Sequence, residues 1–142
     1  MSIQLTAILA GVMLFAITVY GDPAMGSMSK WHVIELDVPQ EANEAAWRDA
    51  LAKHWNGKTE TVVPFGRIDV ETDLYVVELD WFRKWHEGLG QALHYAEVRK
   101  GKQGIVALIV RESCDKAKLD FIEELLGKYD VYLIVLIRKM EE

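Results

Sequence analysis

Arg67-Ile68-Asp69-Val70, Tyr75-Val76-Val77-Glu78-Leu79-Asp80 and Lys84-Trp85-His86-Glu87-Gly88-Leu89-Gly90-Gln91-Ala92-Leu93-His94-Tyr95 follow one another along the chain, and how they are read decides the fold. The first two stretches alternate like short strands, and the third has the period of an amphipathic helix. At about 100° per residue, Lys84, Gln91 and Tyr95 fall on one narrow stripe, because offsets of seven and eleven nearly complete two and three turns. Trp81, Trp85, Leu89, Ala92 and Ala96 form an apolar stripe beside it. Such a helix can bury one side and still aim a cation and an amide at acids carried by the two strands.

Outward from this segment the chain reads as one α/β domain. Trp31 to Val38 is a short strand or extended arm ended by Pro39, and Gln40 to Trp55 is a helix stopped by Asn56-Gly57. In that helix Ala45, Ala46, Trp47, Ala50, Leu51 and His54 lie on the apolar side. Lys58 to Val63 is a strand, Pro64-Phe65-Gly66 turns into the strand of Asp69, and Thr72-Asp73 turns into the strand of Glu78. A helix over residues 82–100 follows. Then come a strand from Gly104 to Val110, a helix from Asp115 to Gly127 and a strand from Val131 to Ile137. The last two strands are apolar on both faces, as strands covered on both sides are. From the first helix onward the order is α-β-β-β-α-β-α-β, with no internal repeat.

Composition narrows the function classes. The chain has 142 residues, 51% hydrophobic and 27% charged, enough for a real core. A formal net charge of -6 argues against a protein that coats nucleic acid nonspecifically, because that binding needs many phosphate contacts from Lys and Arg. It does not exclude an enzyme whose acids hold a cation. Cys114 is the lone cysteine, and no Cys/His cluster has zinc spacing. Ser113-Cys114-Asp115 has no matching His, so nucleophilic catalysis finds no support.

Residues 1–27 read as a leader, and residues 28–142 as the domain. Ile3 to Tyr20 carries no charge and is about as long as a bilayer-spanning helix, which suggests a signal peptide or a membrane anchor through residues 3–20. The domain would then be exported or anchored on the periplasmic side. Asp22 to Ser27 also has the look of a cloning junction, since Met-Gly-Ser followed by Met is typical of one; with Met28 as the true start, the protein is cytoplasmic, and the remaining reading is a buried N-terminal helix.

Several motifs in register make a resemblance specific. Asn56-Gly57-Lys58-Thr59-Glu60, Arg67-Ile68-Asp69, Glu78-Leu79-Asp80-Trp81 and the run from Lys84 to Ala96 resemble, in order and separation, segments of the PD-(D/E)XK nuclease superfamily, in particular its small, often exported, nuclease-like proteins. The likeness covers about residues 56–137. It implies a restriction-endonuclease-like core, a mixed central sheet flanked by helices. Gln91 to Tyr95 also looks like the Gln-x-x-x-Tyr element of RecB-type nucleases, which implies that Gln91 and Tyr95 contact the substrate beside the cut strand. Glu60 matches a family acid, and is either part of the metal site or a salt-bridge partner on the strand face.

The chemistry of such a site explains its residue types. Carboxylates converging from adjacent strands are hard oxygen ligands for Mg²⁺ or Mn²⁺. A bound dication lowers the pKa of a water, places it for in-line attack on phosphorus and neutralises charge in the transition state. Asp69 and Glu78 are the expected main ligands. Asp80 is a third ligand, a group supporting the ligands, or the N-cap of the following helix. The superfamily pattern has Lys where Asp80 stands, so Lys84, one turn into the helix, is the expected catalytic cation. The sequence thus supports a metal-dependent endo- or exodeoxyribonuclease acting on nucleic acid, with DNA as the preferred partner. The alternative is a nuclease-like fold that has lost cleavage and serves as a binding or membrane-associated module.

Overall fold

The computed structural model describes residues 31–111 and 113–140. The leader and its proposed membrane segment lie outside the described residues. Among those described, no helix is long and apolar enough to cross a membrane.

Six strands form one mixed sheet. They are β1 (His32–Leu36), β2 (Lys58–Val63), β3 (Gly66–Glu71), β4 (Tyr75–Trp81), β5 (Gln103–Ile109) and β6 (Val131–Arg138), in the spatial order β1-β6-β5-β4-β3-β2. β4, β5, β6 and β1 are mutually parallel, and β2 and β3 add to β4 as an antiparallel hairpin. The helices are α1 (Glu44–Trp55), α2 (Trp85–Val98) and α3 (Lys116–Gly127). The chain leading from Trp31 is therefore a strand, on the edge of the sheet beside β6.

The apolar pattern assigns the layers. α1 buries Trp47, Leu51 and Ala52 against Val77, Leu79, Ile105 and Leu136 on one face. α2 and α3 bury Ala92, Leu119 and Ile122 against Val106, Leu108 and Val135 on the other. β5 from Gly104 and β6 from Leu133 to Ile137 are buried without a break, which is why their sequences lack alternation. The parallel crossovers β4-α2-β5 and β5-α3-β6 advance the same way across the sheet, so both helices share a face. α1 links β1 at one edge to β2 at the other and covers the opposite face. Each helix follows a parallel strand, so all three helix N-termini gather at the carboxyl end of β4, β5 and β1.

Helix ends follow their capping residues. The Asn43 side chain accepts from Ala46 N–H at 3.0 Å, so α1 starts at Glu44 and not at Gln40. Its C-cap Asn56 has a left-handed φ of 53°, and Gly57 N–H then donates to Ala52 O at 2.8 Å. Asp115 caps α3 through Ala117 N–H.

Three sequence expectations change here. The helix expected over 82–100 begins at Trp85, after a single 3₁₀ turn from Phe82 to Lys84, because β4 stays paired with β5 through Trp81 and Ile109. Asp80 is thus a strand residue and not an N-cap, and no side chain caps α2. Trp81 packs on the α1 side of the sheet, whereas Trp85 and Leu89 pack on the α2 side, so the stripe drawn through all of them splits between two cores. His54, placed on the apolar side of α1, is exposed.

Candidate active site

β3 and β4 part company where the acids are. Their ladder pairs Glu71 with Val76 and Val70 with Val77, and the next position in that register sets Asp69 opposite Glu78. There the backbone pairing stops. The Asp69 carboxylate takes over, accepting the Leu79 N–H at 2.9 Å. On the far side of β3 the register sets Glu60 opposite Asp69, and Glu60 has a left-handed φ of 54°, an uncommon state for a strand residue. Ile68 then packs with Tyr95 on the α2 side while Val70 packs with the α1 core, so the strand changes face across Asp69.

Glu78 and Asp80 are the buried carboxyls of this region. Glu78 is 5% exposed, and its Oε2 has no hydrogen-bond partner. Burial first, then the neighbouring Asp69 charge, push its pKa up to about 10. Asp69 is also raised by burial, but the Leu79 N–H, the hydrogen bond from Glu78 and the charges of Arg48 and Arg67 hold it back. The pair thus favours the protonated form of Glu78, hydrogen-bonded to Asp69. A dication between the two carboxyls would replace that proton, and the unpartnered Oε2 supplies an oxygen with no other engagement.

Asp80 lies two residues beyond Glu78, on the same face of the pleat, and is equally buried at 5%. Burial and the charges of Glu44 and Glu87 raise its pKa to about 6, against the pull of Lys84. Lys84 closes the 3₁₀ turn, its side chain 45% exposed and its Nζ 4.0 Å from Glu87 Oε2. It does not share an α-helical stripe with Gln91 and Tyr95, because the α-helix starts after it. Its charge nevertheless reaches Asp80 and Glu44.

Gln91 is exposed on α2, whereas Tyr95 is buried with Val63, Ile68 and Val76. Tyr95 Oη donates to Arg67 O at 2.7 Å and lies 3.3 Å from Gln91 Oε1. Burial, followed by the Glu78 charge, raises the Tyr95 pKa to about 12, so the phenol remains a donor. Glu60 is held by Arg48 at 2.9 Å and Arg67 at 3.4 Å, in the salt-bridge role that was one of its two expected readings.

Two residues not singled out in the sequence belong to this neighbourhood. Glu44, in the first turn of α1, has its pKa raised by burial and then by Asp69, and its charge acts in turn on Glu78 and Asp80. Arg48, one turn on, binds Asp49 and Glu60 and lends positive potential to Asp69. An acid at a helix start usually answers the macrodipole, so sequence alone gave no signal. Among the described residues, no three His, Cys, Asp or Glu side chains form a group that would hold a metal ion by themselves. Mg²⁺ usually takes one or two carboxylates, several waters and a substrate phosphate, and Asp69 and Glu78 are the pair that could supply the carboxylates.

No protein-family model, curated protein or solved structure matches this chain.

Proposed function

We propose that the chain is a divalent-metal-dependent nuclease of the PD-(D/E)XK kind, with a restriction-endonuclease-like core, hydrolysing phosphodiester bonds in DNA. The observation that carries this reading is the buried, unpartnered Glu78 Oε2 beside Asp69, at the fork where β3 leaves β4. Asp69 and Glu78 would hold Mg²⁺ or Mn²⁺, which when bound supplies an acidified water and positive charge at the phosphate. The Leu79 N–H fixes the Asp69 carboxylate, so that one ligand is oriented before the metal arrives. Lys84 would place an ammonium near the charge developing on phosphate oxygens, and Gln91 would bind the strand on the α2 side with the buried Tyr95 hydroxyl beneath it. Asp80 and Glu44 add negative potential that favours a dication over a bare anion in the cleft.

Calorimetric titration of Mn²⁺, paired with hydrolysis of a labelled oligonucleotide, tests the reading. Asp69→Asn and Glu78→Gln should each abolish binding and cleavage, since an amide is a poor partner for a hard dication. Unchanged metal affinity in both variants would sink it. One observation favours the second reading, a binding module without cleavage: the position of the usual Lys holds Asp80, and Lys84 leans toward Glu87. Metal-dependent oligonucleotide binding with no hydrolysis would select that module.

A further inference from the structure

The tip of the β2–β3 hairpin carries a ring that the fold does not use. Phe65 is fully exposed, at 101% of its reference surface, and has a left-handed φ of 62°. Pro64 followed by a positive φ is the pattern of a type II turn, whose third position favours Gly or Asn. A bulky residue there strains the backbone, and this ring recovers none of that cost by packing. Either of the small residues would serve the turn better.

The turn is nevertheless held firmly. His94 Nε2 donates to Pro64 O at 2.8 Å on one side of Phe65, and Tyr95 Oη donates to Arg67 O at 2.7 Å on the other. A Cβ on Gly66 would stand 3.0 Å from Tyr95 Cε1 and 3.1 Å from His94 Cε1, so the backbone lies directly on α2. The exposed ring is thus fixed to the same turn of α2 that carries Gln91 and the buried Tyr95. Next to it, the Arg67 side chain is 62% exposed with its Nη1 3.4 Å from Glu60 Oε1, a loose surface pair that a phosphate would have to share.

We propose that Phe65 stacks on an unpaired base of the nucleic acid that enters the candidate site, with Arg67 at the adjoining phosphate; this rests on the nuclease reading above. A single rigid aromatic face with a cation beside it suits a base and its phosphate, because every base offers a π-face whatever its sequence. It is a poor match for a protein partner, which requires a large contiguous apolar patch; here the exposed apolar side chains on the hairpin are Val62, Pro64 and Phe65, a small tip. The contact selects single-stranded or frayed ends over closed duplex.

The test uses the full-length protein with Ca²⁺ in place of Mg²⁺ to suppress cleavage, a fluorescein-labelled oligothymidine of about 12 nucleotides, within the usual range of single-strand sites, and a blunt duplex. Phe65→Ala should weaken oligothymidine binding roughly 5- to 100-fold and duplex binding far less, and Phe65→Trp should restore it. Phe65→Gly should bind as weakly as Phe65→Ala while unfolding at higher urea, which separates the ring from the fold. A parent that binds the oligonucleotide no better than Phe65→Ala does would overturn the inference and leave the nuclease reading standing. Absence of binding by the parent to either DNA would overturn both. A change in sedimentation on Phe65→Ala would make the ring a protein contact and also overturn the proposal.

Discussion

Lys84 and Asp80 pose the question of residue chemistry most sharply. An acid buried beside Glu78 occupies the place where the resembling nucleases have an ammonium, and the nearest cation comes from the turn that follows. If Lys84 supplies the missing charge, Lys84→Ala leaves Mn²⁺ affinity nearly unchanged and slows oligonucleotide hydrolysis by roughly 10²–10³, the range for loss of one preorganised donor. Asp80→Lys combined with Lys84→Ala recovers part of that rate, because position 80 shares the pleat face of Glu78. Single-turnover rates for the three proteins decide it. Parent-rate cleavage by Lys84→Ala would make this Lys a surface residue and favour the binding module.

At the scale of elements, the two α2 clamps on the β2–β3 hairpin are hydrogen bonds to backbone carbonyls, and neither is visible as a motif. Tyr95→Phe removes the donor to Arg67 O and leaves that carbonyl without its partner, at a cost of about 1–2 kcal/mol in urea unfolding. Gly66→Ala pushes a methyl group against Tyr95 and His94 and should weaken substrate binding, read by the same oligonucleotide titration, more than it changes stability. Legibility in the sequence followed periodicity. The apolar runs of β5 and β6, the amphipathic α3 and the Asn56-Gly57 stop were readable because burial on two faces, on one face, or a left-handed cap each leaves its own residue pattern. The start of α2 was not. Phe82-Arg83-Lys84 has acceptable helix residues, and only the pairing of Trp81 across from Ile109 extends the strand and delays the helix. Asp69 opposite Glu78 could be anticipated from two acidic strands in succession. Glu44 could not, because its approach depends on α1 crossing the opposite face of the sheet.

For the whole molecule, the acids make stability depend on pH in an unusual direction. Glu78 and Asp80 have folded pKa values of about 10 and about 6, and Asp69 is also raised, all mainly by burial. A raised carboxyl contributes fully below its unfolded pKa, and its contribution is lost as pH climbs through the folded value. The metal-free protein should therefore be more stable at pH 5 than at pH 8. Each pH unit over which only the folded state holds a proton is worth ~1.4 kcal/mol, and water penetration reduces this, so the expected loss over that interval is about 2 kcal/mol. Glu71, lowered through Lys102 and Arg99, works in the opposite sense, and its window lies below that interval. Urea unfolding in chelator across this range should show the decline. Glu78→Gln should flatten it, and excess Mn²⁺ should reverse it, since a bound dication needs both carboxyls ionised.

The short β3–β4 ladder makes the hairpin a lever as well as a wall of the site. Past Val70 and Val77 the β2–β3 arm is held to the rest of the fold by the Asp69 bond to Leu79, the Arg48–Glu60 ion pair from α1 and the contacts on α2. A unit attached so sparingly opens by itself at a free energy below that of global unfolding. Amide hydrogens of Arg67 and Ile68 should then exchange with deuterium sooner than those of Val106 and Val135, which lie in the uninterrupted sheet. Asp69 rides on the arm and Glu78 on the body, so an ion that binds both ties one to the other. Adding Mn²⁺ should slow exchange in the arm and leave the centre of the sheet unaltered, turning a hinge into a rigid joint.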